Sequence, residues 1–241
     1  MRFSTPLVEG RLIRRYKRFL ADIALATGED VLAHCANPGA MLGLAEPGSE
    51  VWLSPAATPT RKLAWSWELV RVGDHLVGIN TSHPNRLVAE AIDAGLIPEL
   101  AGYATLRREV RYGRNSRIDV LLEGSGRAPC YVEIKNVHLR RATTAAEFPD
   151  CVTARGTKHL AELADAVAAG ARAVMLYLVQ RDDCDRFAIA GDIDPVYADG
   201  LRRARAIGVE ILAYACRLSR EGIDVARRLP LAPSLVGEIA A

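Results

Sequence analysis

Alternating apolar and polar residues recur in short runs along the first 80 or so residues of the chain. Six such runs occur, at 11–15, 19–26, 31–34, 51–54, 63–72 and 75–79. Turn formers such as Gly28 and Gly73 separate them. Because successive side chains of a strand point to opposite faces, this period of two predicts β-strands. Short strands in this number favour a small closed or partly closed barrel of the OB type.

Beyond residue 82 the apolar pattern changes to helices that alternate with strands. Apolar residues recur at helical spacing in three segments, 87–96, 153–169 and 195–206. Two continuous apolar runs, at 173–179 and 209–215, are typical of parallel strands buried on both faces. Three further strands are predicted at 107–111, 117–122 and 130–135. We therefore predict an all-β, OB-like domain at 1–82 and an α/β domain with a mixed sheet at 83–241.

The strands at 117–122 and 130–135 carry charged residues in a pattern that indicates chemistry. If they form a hairpin folded about Gly126, residues equally distant from it face each other, and Asp119 lies opposite Glu133. Like charges in directly opposed positions destabilise a sheet unless they are compensated. A divalent cation would compensate them, and Lys135, on the same face as Glu133, would complete a site for phosphodiester chemistry.

A Glu–x–Lys triplet by itself is a weak indicator, because paired charges are common on solvated strand faces. Two features strengthen it: Asp119 has the spacing to share its face, and the opposite face of the hairpin is apolar. The next predicted helix adds three basic residues near its N-terminus, Arg155, Lys158 and His159. Helix N-termini favour anions, so these residues fit a phosphate. A solvated helix face is an equally good explanation for them.

Charge and composition restrict how this chain would bind nucleic acid. It has 241 residues, is 50% hydrophobic and 25% charged, and has a formal net charge of only +2. Affinity for nucleic acid must therefore come from local basic patches. The basic residues that we predict to contact nucleic acid are Arg11, Arg14, Arg15, Arg18, Arg111, Arg114, Arg117, Arg155 and Lys158.

The aromatic residues of the first domain have two interpretations. OB-folds bind single-stranded nucleic acid with stacking aromatics in a basic groove. The residues available for stacking are Tyr16, Phe19, Trp52, Trp65 and Trp67. Large aromatics are usually much buried, so filling the barrel is at least as good an explanation for each of them.

Cysteine usage and hydropathy bear on the compartment. The five cysteines are scattered and form no C-x-x-C pair, which favours buried thiols in a reducing compartment over a disulfide framework or a zinc site. No apolar stretch is long enough to span a bilayer, and the N-terminus lacks the apolar core of a signal peptide. We expect a cytoplasmic protein with no membrane association. The oligomeric state stays open, with a homodimer among the alternatives.

Several long stretches resemble a known family. Asp119 with the Glu–x–Lys triplet resembles the core of the PD-(D/E)xK nuclease fold, with Ile118 where the nominal proline stands. The whole chain resembles the sugar fermentation stimulation protein A (SfsA) family. The stretches that carry this resemblance are 34–39, 80–81, 85–86, 114–119, 131–137, 148–150 and 155–160.

The resemblance implies an OB-like domain followed by a nuclease-like domain. It implies DNA as a partner, bound largely without sequence preference, and a regulatory link to sugar (maltose) use. The site residues it carries over are Asp119, Glu133 and Lys135, with Asp119 and Glu133 as ligands of Mg²⁺, for which Mn²⁺ would substitute. Glu90, on the helix before the sheet, is a weaker candidate for an accessory acid.

Three functions remain open from the sequence. The first is a DNA-binding protein, regulatory in sugar metabolism, that retains a nuclease-type metal site. The second is an active Mg²⁺-dependent endonuclease or exonuclease. The third is a non-catalytic regulator that acts through a protein or small-molecule partner. A helix-turn-helix regulator is disfavoured, because no short two-helix unit with a basic recognition helix occurs.

Overall fold

The computed structural model describes residues 1–56, 61–113 and 116–236, and its first domain is a β-barrel. Its six strands are β1 (Val8–Tyr16), β2 (Leu20–Leu25), β3 (Asp30–His34), β4 (Glu50–Pro55), β5 (Trp65–Val72) and β6 (His75–Gly78). They are hydrogen-bonded in the order β3-β2-β1-β4-β5-β6. A parallel pairing of β3 with β5, at Ala33↔Trp65 and His34↔Ser66, closes five of them into a barrel. The predicted OB-like barrel is confirmed.

Two of the tryptophans that were candidates for base stacking are buried, Trp67 inside the barrel and Trp52 between the barrel and the second domain. Trp52 and Trp67 are completely buried, so the interpretation that they stack on nucleic acid is wrong. Trp67 faces the barrel interior and Trp52 faces the apolar layer shared with the second domain, and a large apolar side chain gains from burial in both places. Tyr16 and Trp65 are half-buried, and Phe19 is 45% exposed. The barrel therefore presents Phe19 as its most accessible ring among these five.

The second domain is built on a six-stranded mixed sheet, as predicted. Its strands are β7 (Thr105–Tyr112), β8 (Ser116–Glu123), β9 (Cys130–Val137), β11 (Arg172–Val179), β13 (Glu210–Leu218) and β14 (Ile223–Arg228). They follow the order β14-β13-β11-β9-β8-β7, in which β9, β11 and β13 are parallel and the outer pairings are antiparallel. The helices are α1 (Pro84–Asp93), α2 (Ala154–Ala168), α3 (Pro195–Ile207) and α4 (Pro233–Val236).

Three strands of the second domain have no counterpart in the predicted elements. Two of them, β10 (Ala145–Phe148) and β12 (Arg186–Ile189), pair in parallel as a separate two-stranded sheet. Each has four residues, which is too short to show a period of two against the surrounding loops. The third, β14, ends in two arginines on the sheet edge, and its pattern resembles a solvated segment.

Helices cover the mixed sheet on both faces. On one face α2 and α3 bury residues such as Leu160, Leu163 and Leu201. On the other face α1 shares a core with the barrel, in which Leu87 packs in the same cluster as Trp52. The barrel and the sheet are therefore joined by a common apolar layer. The last barrel strand ends at Gly78 and α1 begins at Pro84, and the domain boundary at residue 82 stays a prediction.

The loop between β3 and β4 joins the barrel to the second domain through one carboxylate. The backbone N–H of Met41 donates to Oδ2 of Asp150 at 3.0 Å, and the Nε2 atom of His138 lies 3.2 Å from the same oxygen. On the barrel side, Nη2 of Arg15 donates to the carbonyl of Gly39 at 2.9 Å. Asp150 therefore connects this loop to the residue after β9 and to the segment that precedes α2.

The structure bears on two further expectations. All five cysteines are free thiols, and four of them are buried as expected, while Cys151 is exposed. Within the described residues, no helix combines the length and the apolar character needed to cross a bilayer.

Candidate metal and nucleic-acid site

The pairing of β8 with β9 has the predicted register about Gly126. Val120 pairs with Val132 and Leu122 with Cys130, at equal distances from Gly126. The backbone pairing of β8 with β9 ends at Val120, next to Asp119. Beyond that point the Asp119 side chain replaces the backbone as hydrogen-bond acceptor, and its Oδ2 accepts the backbone N–H of Ile134 at 2.7 Å. The carboxylate thus fills the gap where the two strands separate.

A second donor and a nearby charge determine the protonation of Asp119. The Nδ2 atom of Asn85, on α1, donates to Oδ1 of Asp119 at 2.8 Å. Burial, and then the negative charge of Glu133, raise the pKa of Asp119 to about 6, against the opposing hydrogen bonds from Ile134 and Asn85. Asp119 therefore changes charge just below neutral pH, where a nearby cation would readily displace its proton.

Glu133 is buried, and only one of its oxygens is engaged. Its Oε1 accepts from Nζ of Lys135 at 2.7 Å and also contacts Nδ1 of His159. Burial acts to raise the pKa of Glu133, but the hydrogen bond from His159 and the charge of Lys135 outweigh it and lower the pKa. Its Oε2 is buried without a hydrogen-bond partner among the described residues. Glu133 is therefore ionised, with one oxygen left to accept a ligand.

The start of α2 orients the histidine that contacts Glu133. Thr153 caps the helix by accepting the N–H of Gly156 at 3.1 Å, which fixes where the first turn of α2 begins. Arg155 then donates from Nε to Nε2 of His159 at 3.3 Å. With Nε2 as an acceptor, the neutral imidazole carries its proton on Nδ1 and presents it to Glu133. The sequence placed His159 on a basic helix face but did not reveal this contact.

A divalent cation fits the carboxylates of this site. Across residues 1–56, 61–113 and 116–236, no group of three or more His, Cys, Asp or Glu side chains is arranged to hold a metal. Asp119 and Glu133 form a pair, and Mg²⁺ is often held by one or two carboxylates plus water and substrate phosphates. The raised pKa of Asp119 indicates a carboxylate whose negative charge lacks full compensation, and Oε2 of Glu133 has no hydrogen-bond partner among the described residues. The donor set therefore suits a hydrated Mg²⁺ or Mn²⁺ ion.

Sequence reasoning missed a third carboxylate next to Asp119. Glu109 lies on β7 between residues that pair with Ile118 and Val120, and so faces Asp119 across the ladder. Its φ is +54°, a left-handed conformation that is uncommon for a non-glycine residue. Asn85 bridges the two side chains, because its Nδ2 also donates to Oε1 of Glu109 at 2.8 Å. No periodic pattern indicates this residue, since its conformation is set by its neighbours.

Glu90, the predicted accessory acid, lies elsewhere on α1. Its carboxylate accepts from Nε of Arg86 at 2.6 Å and lies 3.0 Å from the terminal ammonium of Met1. The hydrogen bond from α1 to Asp119 is made by Asn85. Asn85 and Glu90 are five residues apart on α1, so their side chains lie on different faces of the helix and Glu90 does not face Asp119.

The four barrel arginines that were predicted to contact nucleic acid are largely engaged within the barrel. Arg11 pairs with Glu50 at 3.2 Å and Arg14 with Asp22 at 2.6 Å. Arg15 donates to backbone carbonyls of the loop after β3. Arg18 is exposed and makes no ion pair in the part of the chain that the structure describes.

Two more of the predicted contact residues, Arg111 and Arg117, flank the tip of the β7–β8 hairpin. Arg111 and Arg117 are exposed and directly opposed across the two strands, while Arg114 lies outside the described residues. On α2, Arg155 is exposed, and Nζ of Lys158 lies 3.6 Å from Oε1 of Glu162. Glu162 also lies against Gly113 at the hairpin tip. The structure thus brings Lys158 and the hairpin together.

The raised pKa of Asp119 predicts that Asp119→Asn stabilises the metal-free protein at pH 7–8. A folded-state pKa above the unfolded value of about 3.8 gives stability that is present below pH 4 and lost as the pH rises through 6. Asparagine does not ionise and so avoids that loss, with an expected gain of about 3 kcal/mol in the free energy of unfolding. Denaturation in EDTA at pH 4 and pH 8 measures it, with Asp93→Asn on the exposed end of α1 as control. An equal effect at both pH values would contradict the assignment.

Both domains match models of known protein families. The family model described as "Sugar fermentation stimulation protein RE domain" matches residues 82–222, and "SfsA N-terminal OB domain" matches residues 13–79. Proteins named sugar fermentation stimulation protein homolog from Paramagnetospirillum magneticum and Rhodospirillum centenum are each 63% identical over 231 residues. These matches cover 96% of this chain and 98% and 99% of those proteins.

A solved structure agrees over nearly the whole length. It is described as "The structure of Pyrococcus Furiosus SfsA in complex with Ca2+". The two chains superpose with a TM-score of 0.87 at 28% identity, covering 97% of this chain and 98% of the other. The OB-type barrel, the mixed sheet that follows it and the extensive sequence identity lead to one conclusion: this chain belongs to the sugar fermentation stimulation protein (SfsA) family.

Proposed function

We propose that the protein binds DNA and hydrolyses a phosphodiester bond with a divalent cation held by Asp119 and Glu133. The observation that carries this proposal is the buried Oε2 of Glu133, which has no hydrogen-bond partner among the described residues, beside an Asp119 whose pKa is raised by burial and by the charge of Glu133. The cationic amine of Lys135 lies 2.7 Å from the other oxygen of Glu133, Oε1. The Pyrococcus furiosus relative was solved in complex with Ca²⁺, which supports a divalent cation in this family.

The side chains around the cation position have separable roles in this proposal. A bound Mg²⁺ would activate water and stabilise negative charge on the phosphate. Lys135 offsets further charge on the phosphate oxygens, since its ammonium lies beside the site. His159 and Lys135 keep Glu133 ionised, and Arg155 orients the imidazole of His159. Asn85 and the N–H of Ile134 hold the two oxygens of Asp119 in place.

The DNA surface of this proposal runs along α2 to the β7–β8 hairpin. Directly opposed like charges destabilise a sheet, so the Arg111–Arg117 pair is favourable mainly when an anion lies against it. Arg155 and Lys158 extend the surface along α2. Arg18 lies at the other end, close enough to Cys151 for its charge to act on the thiol. This positive surface borders the carboxylate pair and suits a phosphate backbone without sequence preference.

Plasmid nicking tests the proposed function. Supercoiled plasmid is expected to convert to the open circle in Mg²⁺ or Mn²⁺ but not in EDTA. Glu133→Gln and Lys135→Ala should each abolish it, because one removes a cation ligand and the other the neighbouring positive charge. Glu29→Gln, a matched change at an exposed turn, should cut normally. Nicking that survives in both site variants would overturn the proposal.

Salt dependence of DNA binding gives a second prediction. The double variant Arg111→Gln/Arg117→Gln should lower the slope of log affinity against log salt by about 2, because each phosphate contact contributes about 1. Fluorescence anisotropy in EDTA at several salt concentrations measures the slope. Arg202→Gln/Arg203→Gln on α3 is the matched control, since both side chains are exposed and lie on another element. A slope that changes equally in both doubles would rule out the hairpin as a contact.

A second candidate function is DNA binding without cleavage, in a regulatory role in sugar metabolism. One observation favours it: Lys135 and His159 both engage the same oxygen of Glu133, as in a structural ion-pair network. The names of the relatives refer to sugar fermentation. Salt-dependent DNA binding with no nicking in either metal would select this candidate. Either function would operate in the bacterial cytoplasm, where the DNA lies.

A further inference from the structure

A cavity of about 440 Å³ opens where the barrel, the N-terminal segment and the start of α1 meet. Its walls include residues from all three elements, among them Phe3, His34, Arg61 and His83. The volume lies within the range of small-molecule pockets and would accept a single nucleotide. Neither the carboxylate pair nor the basic surface along α2 contributes to its lining.

The rim of the cavity is positively charged. Arg61 is exposed and donates to Oγ of Ser66 at 2.8 Å and to Nδ1 of His34 at 2.9 Å. Within the described residues it makes no ion pair with a carboxylate, and a guanidinium has further N–H donors to offer. Arg86 lines the cavity from α1, and its Nε donates to Glu90, which leaves its other N–H groups available. Two guanidinium groups around one opening favour a phosphate.

The first turn of α1 adds to this preference. It has no acidic residue and no side-chain cap hydrogen bond, so no side chain of this turn occupies the free N–H groups at the start of the helix. His83 and Arg86 both line the cavity from this turn. A phosphate in the opening would therefore meet the helix N-terminus together with the two arginines.

The floor of the cavity is polar rather than apolar. Glu68 is buried there and accepts from Ser54 at 2.6 Å, from Asn80 at 2.8 Å and from His83 at 2.7 Å. Burial acts to raise the pKa of Glu68, yet the hydrogen bond and charge of His83 outweigh it and lower the pKa. An ionised, well-bonded carboxylate at the floor with cations at the rim suits a ligand whose hydroxyl or amino groups enter first. A nucleotide has that distribution of groups.

The cavity and the carboxylate site share one turn of helix. Asn85, which binds Asp119 and Glu109, lies between His83 and Arg86 in the chain. Near His34, the exposed ring of Phe19 stacks on the imidazole with the ring centroids 6.4 Å apart. A strand end seated in the cavity would thus lie beside an accessible aromatic ring and close to the carboxylates. Two complete nucleotides exceed this volume, so the proposed ligand is one unpaired terminal nucleotide.

We propose that this cavity binds the phosphate-bearing terminal nucleotide of a single DNA strand, with the phosphate between Arg61 and Arg86. The proposal rests on the function above and specifies its substrate as DNA with an unpaired, phosphorylated end. A free nucleotide has the same chemistry, and the experiment below separates the two sources.

Anisotropy in EDTA with internally labelled oligothymidylate tests the proposal without cleavage. Strands ending in a 5′-phosphate, a 3′-phosphate or hydroxyls only are compared. One phosphorylated strand is expected to bind about tenfold tighter than the hydroxyl strand, because a charge-assisted hydrogen bond contributes on that scale. Arg61→Gln should reduce the preference to within about twofold, and Arg86→Gln should do so independently. Arg202→Gln should leave it intact.

Two results would overturn this inference. One is equal affinity of the wild-type protein for all three strands, and the other is a preference that survives both arginine variants. Competition with dTMP and thymidine tests the source: dTMP binding more tightly than the phosphorylated strand would reject the strand end as the ligand. Failure of the proposed function would look different, since no strand would bind at all. Circular dichroism verifies that each variant is folded.

Discussion

Asp119→Asn is expected to reduce Mg²⁺-dependent nicking by about a thousandfold, since cation and charge stabilisation at such sites contribute several kcal/mol. The substitution keeps the shape of the side chain, and its amide oxygen can still accept the N–H of Ile134. It removes the negative charge that would hold the cation. Nicking of supercoiled plasmid over a range of Mg²⁺ concentrations measures the loss.

The stability of Asp119→Asn provides a control for its loss of nicking activity. Asp119→Asn should be at least as stable as the wild-type protein at pH 8, because it removes a buried carboxylate whose pKa is raised. Loss of activity with gain of stability cannot arise from misfolding. Binding to DNA in EDTA should persist, and Asp93→Asn should cut normally. Undiminished nicking by Asp119→Asn would mean that another site or a contaminant cuts.

Gly39→Ala is expected to lower the free energy of unfolding by about 1–3 kcal/mol, the usual cost of forcing extra atoms into a packed region. A Cβ at this position would clash with Oδ2 of Asp150 and lie 2.8 Å from its Oδ1. That carboxylate cannot easily move, because it accepts from Met41 and contacts His138. Position 39 therefore requires a glycine, because the Asp150 carboxylate leaves no room for a Cβ. Thermal and urea denaturation measure the change.

A matched glycine and a double variant make this prediction specific. At Gly191 a Cβ would meet only Ala198, at 3.4 Å, so Gly191→Ala should cost little. In an Asp150→Ala background, Gly39→Ala should cost almost nothing more, because the obstructing oxygens are gone. An equal cost in both backgrounds would show that the glycine acts through some other contact.

The predictions that succeeded depend on neighbours in the chain. The OB-like barrel and the mixed sheet follow from periods of two and 3.6 in the apolar pattern, which reflect backbone geometry. The pairing of Val120 with Val132 follows from a short loop that turns at Gly126, where φ is +77°. A hairpin of this size leaves few alternative registers.

The predictions that failed or were missed depend on contacts between distant segments. Trp67 is buried because barrel closure makes its strand face internal, and Trp52 is buried because α1 and the mixed sheet pack against its side of the barrel. Asn85 reaches Asp119 from 34 positions away in the chain. Glu109 adopts its left-handed conformation within a strand, where no turn motif in the sequence indicates it. None of these leaves a local sequence pattern.

By itself the sequence determined the two-domain order, the strand hairpin with Asp119 and Glu133 on it, and the family to which the chain belongs. Local backbone geometry and long matching stretches are sufficient for these. Only the tertiary structure decided which polar groups share an environment: the contact of His159 with Glu133, the bridge from Asn85 and the cavity rimmed by Arg61 and Arg86. The physical reason is that pKa values and cavities depend on burial and on charges brought together by packing.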